Sequence, residues 1–321
     1  MKIVIAPDSF KESLDALAVA TAIETGFKRV FPHAQYDLIP MADGGEGTVQ
    51  SLVDATQGRI ERVSVTGPLG ECVRAFFGVS GDGKTAFIEM SAASGLHLVP
   101  VAQRNPLTTT SYGTGELIKA ALDQGAKHII LGLGGSATND AGAGMLQALG
   151  VRFLDAQGRS VAWGGAALAS LVQMDLSQLD ARLADIRIQV ACDVDNPLCG
   201  VRGASAVFGP QKGATPAQVT QLDAALAHFS SVVVQQTGRD IANIAGAGAA
   251  GGMGGGLMLL PHAQLQSGVQ IVAEAVRLAE RVRDADWVIT GEGRMDAQSI
   301  RGKTPIGRSE EHTSELQSHH V

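Results

Sequence analysis

The densest run of residues able to do chemistry is 129–146, IILGLGGSATNDAGAGML. An apolar stretch over 128–133 reads as a buried strand. It breaks into Gly132, Gly134 and Gly135, then Ser136, Thr138, Asn139 and Asp140, then small residues that can open a helix. A strand feeding a glycine turn and a helix N-terminus presents outward N–H groups, allows close approach, and places a helix dipole that favours negative charge. That combination suits a phosphate. Asp140 adds a carboxylate able to hold a metal ion or a hydroxyl beside it.

Other acids occupy comparable places. Asp8, Asp43, Asp193 and Glu292 each follow a predicted strand end or enter the next helix. Ligands of open α/β sheets collect at the C-terminal ends of the strands, so these carboxylates can converge on one site. Their structural reading is helix capping, a role Asp fills in any protein.

The elements that must position these groups follow from periodicity. Short apolar runs at 2–6, 36–40, 128–133, 151–155, 187–192 and 286–290 read as strands, most of them separated by helical patterns. Ser13 or Asp15 can cap the first helix. Thr215-Pro216 opens a helix reaching to about residue 236. Residues 62–65, 73–79 and 85–90 alternate as antiparallel strands. A glycine-rich loop is expected at 245–256 and an amphipathic helix at 272–282. The class is α/β with a mostly parallel sheet and an added, partly antiparallel region.

Three glycine motifs compete for the phosphate role. Residues 78–85 match the P-loop pattern, but the flanking alternation predicts a hairpin rather than a strand–loop–helix unit. Residues 132–137 match the dinucleotide fingerprint with Gly132, Gly134 and Ala137, and Asp155 stands about twenty residues on, where a ribose-binding acid belongs. Residues 246–251 match it too, without a convincing strand before them.

Composition narrows the partners. The 321-residue chain carries a net charge of −7 and no basic tract, which argues against nucleic acid. Three scattered cysteines (Cys72, Cys192, Cys199) make neither a disulfide framework nor a zinc site and fit a reducing cytoplasm. No apolar run approaches a membrane span or a signal-peptide core. From Arg308 the composition changes abruptly to RSEEHTSELQSHHV, most of which reads as the translation of a common sequencing-library adapter. Residues 308–321 are expected to be a non-native tail, so their histidines are not counted as ligands.

Nine segments in order resemble the type 1 glycerate kinases. They are APDSFKESL (6–14), PMADGGEGT (40–48), EMSAASGL (89–96), TTSYGTGELI (109–118), GLGGSATNDAGAGM (132–145), CDVDNPLCG (192–200), VFGPQKGA (207–214), GAGAAGGMG (246–254) and TGEGRMDAQSIRGKTP (290–305). Ala141 stands where that family often has glycine, and Ser299 where threonine is usual. The resemblance implies two α/β domains. One is flavodoxin-like and built from both chain ends (1–62 and 286–307), and the second, 63–285, is inserted between them. It also implies transfer of the γ-phosphoryl group of ATP to D-glycerate with Mg²⁺, mostly giving 2-phosphoglycerate, with the 3-hydroxyl as the alternative acceptor. Family chains continue beyond the GKTP segment, so sheet strands and part of the site wall are expected to be missing here.

On that reading Gly134, Gly135 and Ser136, with Thr138 and Asn139, cradle phosphate. Asp193 is the base and Lys212 the catalytic cation. Lys11, Ser111 and Thr114 contact substrate, and Asp43, Glu46 and Asp296 are metal candidates; Lys303 ranks below Lys11 and Lys212 as an anion partner. A second reading is an NAD(P)-dependent oxidoreductase using residues 132–137 with Asp155. A third is a non-catalytic nucleotide-binding regulator. Oligomeric state is left open.

Overall fold

The computed structural model describes residues 1–10 and 13–293. Strand β1 (Lys2–Ile5) is followed at once by Pro7, and α1 (Ala16–Lys28) is capped by Asp15, whose carboxylate accepts the Ala18 N–H at 2.7 Å. Next come β2 (Gln35–Leu38), an acidic glycine turn at 43–47, and α2 (Thr48–Ala55). Strands β3 (Arg59–Thr66), β4 (Cys72–Val79) and β5 (Thr85–Glu89) form an antiparallel meander. The P-loop look-alike is therefore the β4–β5 hairpin, as its alternation predicts.

Helices α3 (Ser91–Ser94) and α4 (Tyr112–Asp123) lead to β6 (His128–Gly132), α5 (Ala143–Ala148) and a two-stranded ribbon, β7 (Arg152–Leu154) with β8 (Gln173–Asp175). Strand β9 (Arg187–Ala191) and α6 (Ala204–Phe208) precede α7 (Pro216–Thr237). Helix α7 starts on a full capping box between Thr215 and Gln218 and stops at Gly238 in the left-handed conformation. The described chain ends with α8 (Ala249–Leu257), β10 (Ala263–Gln266), α9 (Gly268–Ala275), α10 (Leu278–Val282) and β11 (Trp287–Ile289).

Three local expectations give way. No helix opens directly behind the 132–136 glycines: α5 starts only at Ala143, after a long loop. Ala141 in that loop holds φ +55, a left-handed conformation that residues other than glycine adopt at a cost. The expected loop at 245–256 is mostly α8, kinked by left-handed Ala250, Gly251 and Gly252. The expected helix at 272–282 is two helices, broken at Arg277 with φ +53.

Strands β2-β1-β11 form a parallel three-stranded sheet drawing on both ends of the described chain. The six-stranded sheet has the order β10-β9-β6-β5-β4-β3; β10, β9, β6 and β5 run parallel and β4 and β3 antiparallel. Side-chain alternation builds the layers. Ile88, Ile129 and Ile188 face the main core with α4, α5, α7 and α8. Phe87, Ile130 and Ala191 face α2 and α9, whose other sides take Val4 of β1 and Ala6 just beyond it. Ile3 and Ile5 face α1. Helices α2 and α9 are thus a layer shared by both sheets.

The 43–47 turn meets the large sheet through glycine. A Cβ on Gly44 would lie 2.6 Å from the Ala191 Cβ. One on Gly132 would strike the Gly44 carbonyl oxygen, and one on Gly268 the Asp43 carbonyl. Gly132→Ala should therefore destabilise by about 1–3 kcal/mol through overpacking. Gly26→Ala, in α1 with open space around it, should stabilise by about 0.4–1 kcal/mol. Urea denaturation of both variants checks the contrast; equal effects would contradict the close approach.

Candidate active site

A cavity of about 270 Å³ opens where β6 and β9 end, lined by Asp43, Gly134, Gly135, Ser136, Asp193 and Lys212 among others. This is the edge of a parallel sheet at which ligands gather. Gly135 adopts φ +73, a conformation L side chains rarely take, and a Cβ on Gly134 would touch Gly45. The glycines thus let this loop pass close to the acidic turn while exposing its backbone to the cavity.

Lys212 sits just past α6 and is 2% exposed. Its ammonium donates to Ser136 Oγ at 2.7 Å and to the Thr138 carbonyl at 2.7 Å, clamping the glycine loop. Burial pushes its pKa down to about 7, and the negative field of Asp140 works against that shift. A cation that has already shed its water is well placed to bind an anion entering the cavity.

Asp140 itself serves the scaffold. At 1% exposure it accepts from the Ser111 N–H (3.0 Å) and Oγ–H (2.7 Å), and from the N–H groups of Gly142 (3.1 Å) and Gly144 (3.2 Å). Burial raises its carboxyl pKa while these donors oppose the rise. The metal or hydroxyl role expected of it gives way, because both its oxygens are committed to the loop that leads into α5.

The same packing relocates four other residues. Ser111 is fully buried and accepts the Met145 N–H at 3.0 Å, and Thr114 is fully buried against Ser94 at 2.9 Å. Both lock α4 in place beneath the loop, and neither is among the residues lining the cavity. Thr138 and Asn139 are also 0% exposed, with Asn139 donating to Ser205 Oγ at 2.9 Å. They lie beneath the 134–136 loop rather than on the cavity wall.

Asp193 lines the cavity and also caps α9, accepting from Gly268 N–H at 3.0 Å and Ser267 Oγ at 3.2 Å. The capping expectation holds, and α9 orients the carboxylate at the cavity wall. Asp43 lines the same cavity, with one oxygen bound to the Gly45 N–H at 3.0 Å. Glu46 does not join it and lines a neighbouring cavity. Among the described residues no three His, Cys, Asp or Glu side chains converge as a metal site. Asp43 fits a cation that takes one or two carboxylates and completes its shell with phosphates and water, as Mg²⁺ does. Lys11, Asp296 and Lys303 lie outside the described residues.

One acid escaped the sequence reading. Glu89 ends β5, is 6% exposed, and accepts the Val49 N–H at 2.9 Å, capping α2 from the large sheet. Its burial raises its pKa, as does the charge of Glu46. The signal was present as a lone acid closing the apolar run 86–88. The dinucleotide reading fails on geometry: the fingerprint glycines lead into a loop, not a helix, and Asp155 closes a surface turn with Arg159 at the end of β7.

A mostly parallel α/β scaffold thus brings a glycine loop, a buried lysine and two carboxylates to one cavity, the kind of arrangement found in enzymes of small anionic substrates. A sequence profile of the Glycerate kinase family matches residues 3–315. The chain is 68% identical to a glycerate kinase of Haemophilus influenzae, over 96% of this chain and 81% of that protein. It is 59% identical to the glycerate 2-kinase of Escherichia coli, again over 96% and 81%. A crystal structure described as glycerate kinase 2 from Salmonella typhimurium LT2 superposes with a TM-score of 0.95 at 59% identity, covering 98% of this chain and 84% of that one. The chain belongs to the glycerate kinase family and is a kinase.

The Lys212 environment has a thermodynamic consequence. Its folded-state pKa lies below its unfolded value of 10.5, so the unfolded chain binds more protons between about pH 7 and 10.5. The contribution of this group to stability therefore rises with pH across that window. Lys212→Met should abolish that rise, measured by urea unfolding at pH 7 and 9.5. An unchanged pH dependence would mean that Lys212 is not a desolvated cation.

Proposed function

We propose that the chain transfers the γ-phosphoryl group of ATP to the 2-hydroxyl of D-glycerate, giving 2-phosphoglycerate and ADP in the cytoplasm. One observation carries the reading: a carboxylate base candidate (Asp193), a buried lysine (Lys212) and an exposed glycine backbone (Gly134, Gly135) share one cavity. The names borne by the Haemophilus influenzae and Escherichia coli relatives support glycerate as acceptor, and the latter supports the 2-position.

Each group has a task in an in-line transfer. Asp193, fixed by the α9 N-terminus, takes the proton of the attacking hydroxyl as its oxygen bonds to phosphorus. The bond between phosphorus and the β,γ-bridging oxygen breaks and ADP leaves with that electron pair. The backbone of Gly134 and Gly135 and the Lys212 ammonium hold the phosphoryl oxygens as charge builds there. Mg²⁺, held through Asp43, would supply charge neutralisation of the nucleotide phosphates. Residues 1–62 with 286–307 and residues 63–285 are taken as the two domains, and Asp43, Gly44 and Gly45 of the first line this cavity with residues of the second. The three-stranded sheet drawn from both ends of the described chain supports the first of these, while β3 (Arg59–Thr66) runs across the boundary at 62 and α2 and α9 pack against both sheets.

The test is glycerate-dependent release of ADP, with the product assigned by phosphorus NMR. Asp193→Asn should lower kcat by about 10²- to 10⁴-fold with KM for ATP little changed. The 3-phospho isomer as product would overturn the regiochemistry. Near-normal turnover by the variant would overturn Asp193 as base.

A further inference from the structure

A second cavity, of about 620 Å³, lies beside the first, and Gly45, Gly134 and Gly135 line both. It sits on the α2 face of the large sheet, beyond the helix's first turn. Arg74 and Phe76 reach it from alternate positions on β4, the same side of the strand as Gly78, whose Cβ would meet Val49 and Val53 of α2. Phe76 is 36% exposed although it sits mid-strand. Arg74 is exposed, and among the described residues its side chain makes no ion pair or hydrogen bond. Glu46 completes the wall from the acidic turn.

We infer that this second cavity binds the nucleoside of the phosphoryl donor, with the polyphosphate crossing the shared glycine wall into the smaller cavity. The inference rests on the kinase reading of the first cavity. The acceptor hydroxyl must touch Asp193, so a three-carbon acid belongs in the smaller space. The donor must then reach phosphorus from the far side of an in-line arrangement. Among the described residues the wall common to both cavities is glycine (Gly45, Gly134, Gly135), which lets a phosphate chain lie against backbone. Beyond it, the Phe76 ring offers a face on which a purine stacks. The Glu46 carboxylate can accept from ribose hydroxyls, and the unpaired Arg74 guanidinium suits the α- and β-phosphates.

The test titrates a fluorescent N-methylanthraniloyl ADP into the wild-type chain, Phe76→Ala and Arg74→Gln, alongside steady-state kinetics. Both side chains are exposed, so far-UV circular dichroism and thermal melting should match wild type. The expected result is at least tenfold weaker nucleotide binding in each variant, with KM for glycerate within twofold. Unchanged nucleotide affinity would overturn the inference, as would a raised KM for glycerate with nucleotide affinity kept, which would make this the acceptor cavity. If wild type binds the nucleotide and loses it in these variants but phosphorylates no glycerate, the acceptor reading falls and the nucleoside site stands. No nucleotide binding by wild type would overturn both.

Discussion

The site depends on one buried ammonium. Lys212 is enclosed almost completely, and two of its N–H groups are spent on Ser136 Oγ and the Thr138 carbonyl. Desolvating a lysine is unfavourable unless its donors are satisfied, so the loop at 133–142 must hold one shape. Asp140 enforces that shape by gathering Ser111, Gly142 and Gly144 around a buried carboxyl group. Its negative charge also offsets part of the desolvation of Lys212. The cavity-lining glycines are therefore the visible edge of a polar cluster whose members lie mostly below the surface.

A second constraint acts between the sheets. The turn at 43–47 can approach β6 and β9 only because glycine occupies 44, 132 and 268. The contact carries Asp43 to the same cavity as Asp193 and leaves Glu46 on the other side of the glycine wall. Glu89 fixes the far end of this turn by capping α2. Two carboxylates three residues apart in sequence thus belong to different chemical environments.

Much of this was legible from residue patterns. The α/β class, the β4–β5 hairpin and the capped α7 follow from periodicity and turn chemistry, which are local properties. The grouping of Gly134, Gly135, Ser136 and Asp193 at one cavity follows from strand-end placement, whereas Lys212, past α6, is singled out by its glycine- and proline-rich loop and by the family resemblance. What sequence could not reveal is depth. Ser111, Thr114, Thr138 and Asn139 are polar residues in glycine-rich segments, the usual signature of ligand contact, yet tertiary packing turns their side chains inward. The kink in α8 and the late start of α5 escape for a related reason: left-handed residues at Ala141, Ala250 and Gly251 are imposed by close packing against neighbouring backbone.

The most direct test of the account is the protonation of Lys212 itself, followed by NMR of the labelled ε-amine with and without ADP. A desolvated lysine beside the glycine loop should titrate near 7 in the free protein and shift upward when phosphate charge enters the cavity. An ordinary value near 10.5, unmoved by ADP, would contradict both its burial and its role as the phosphate-binding cation.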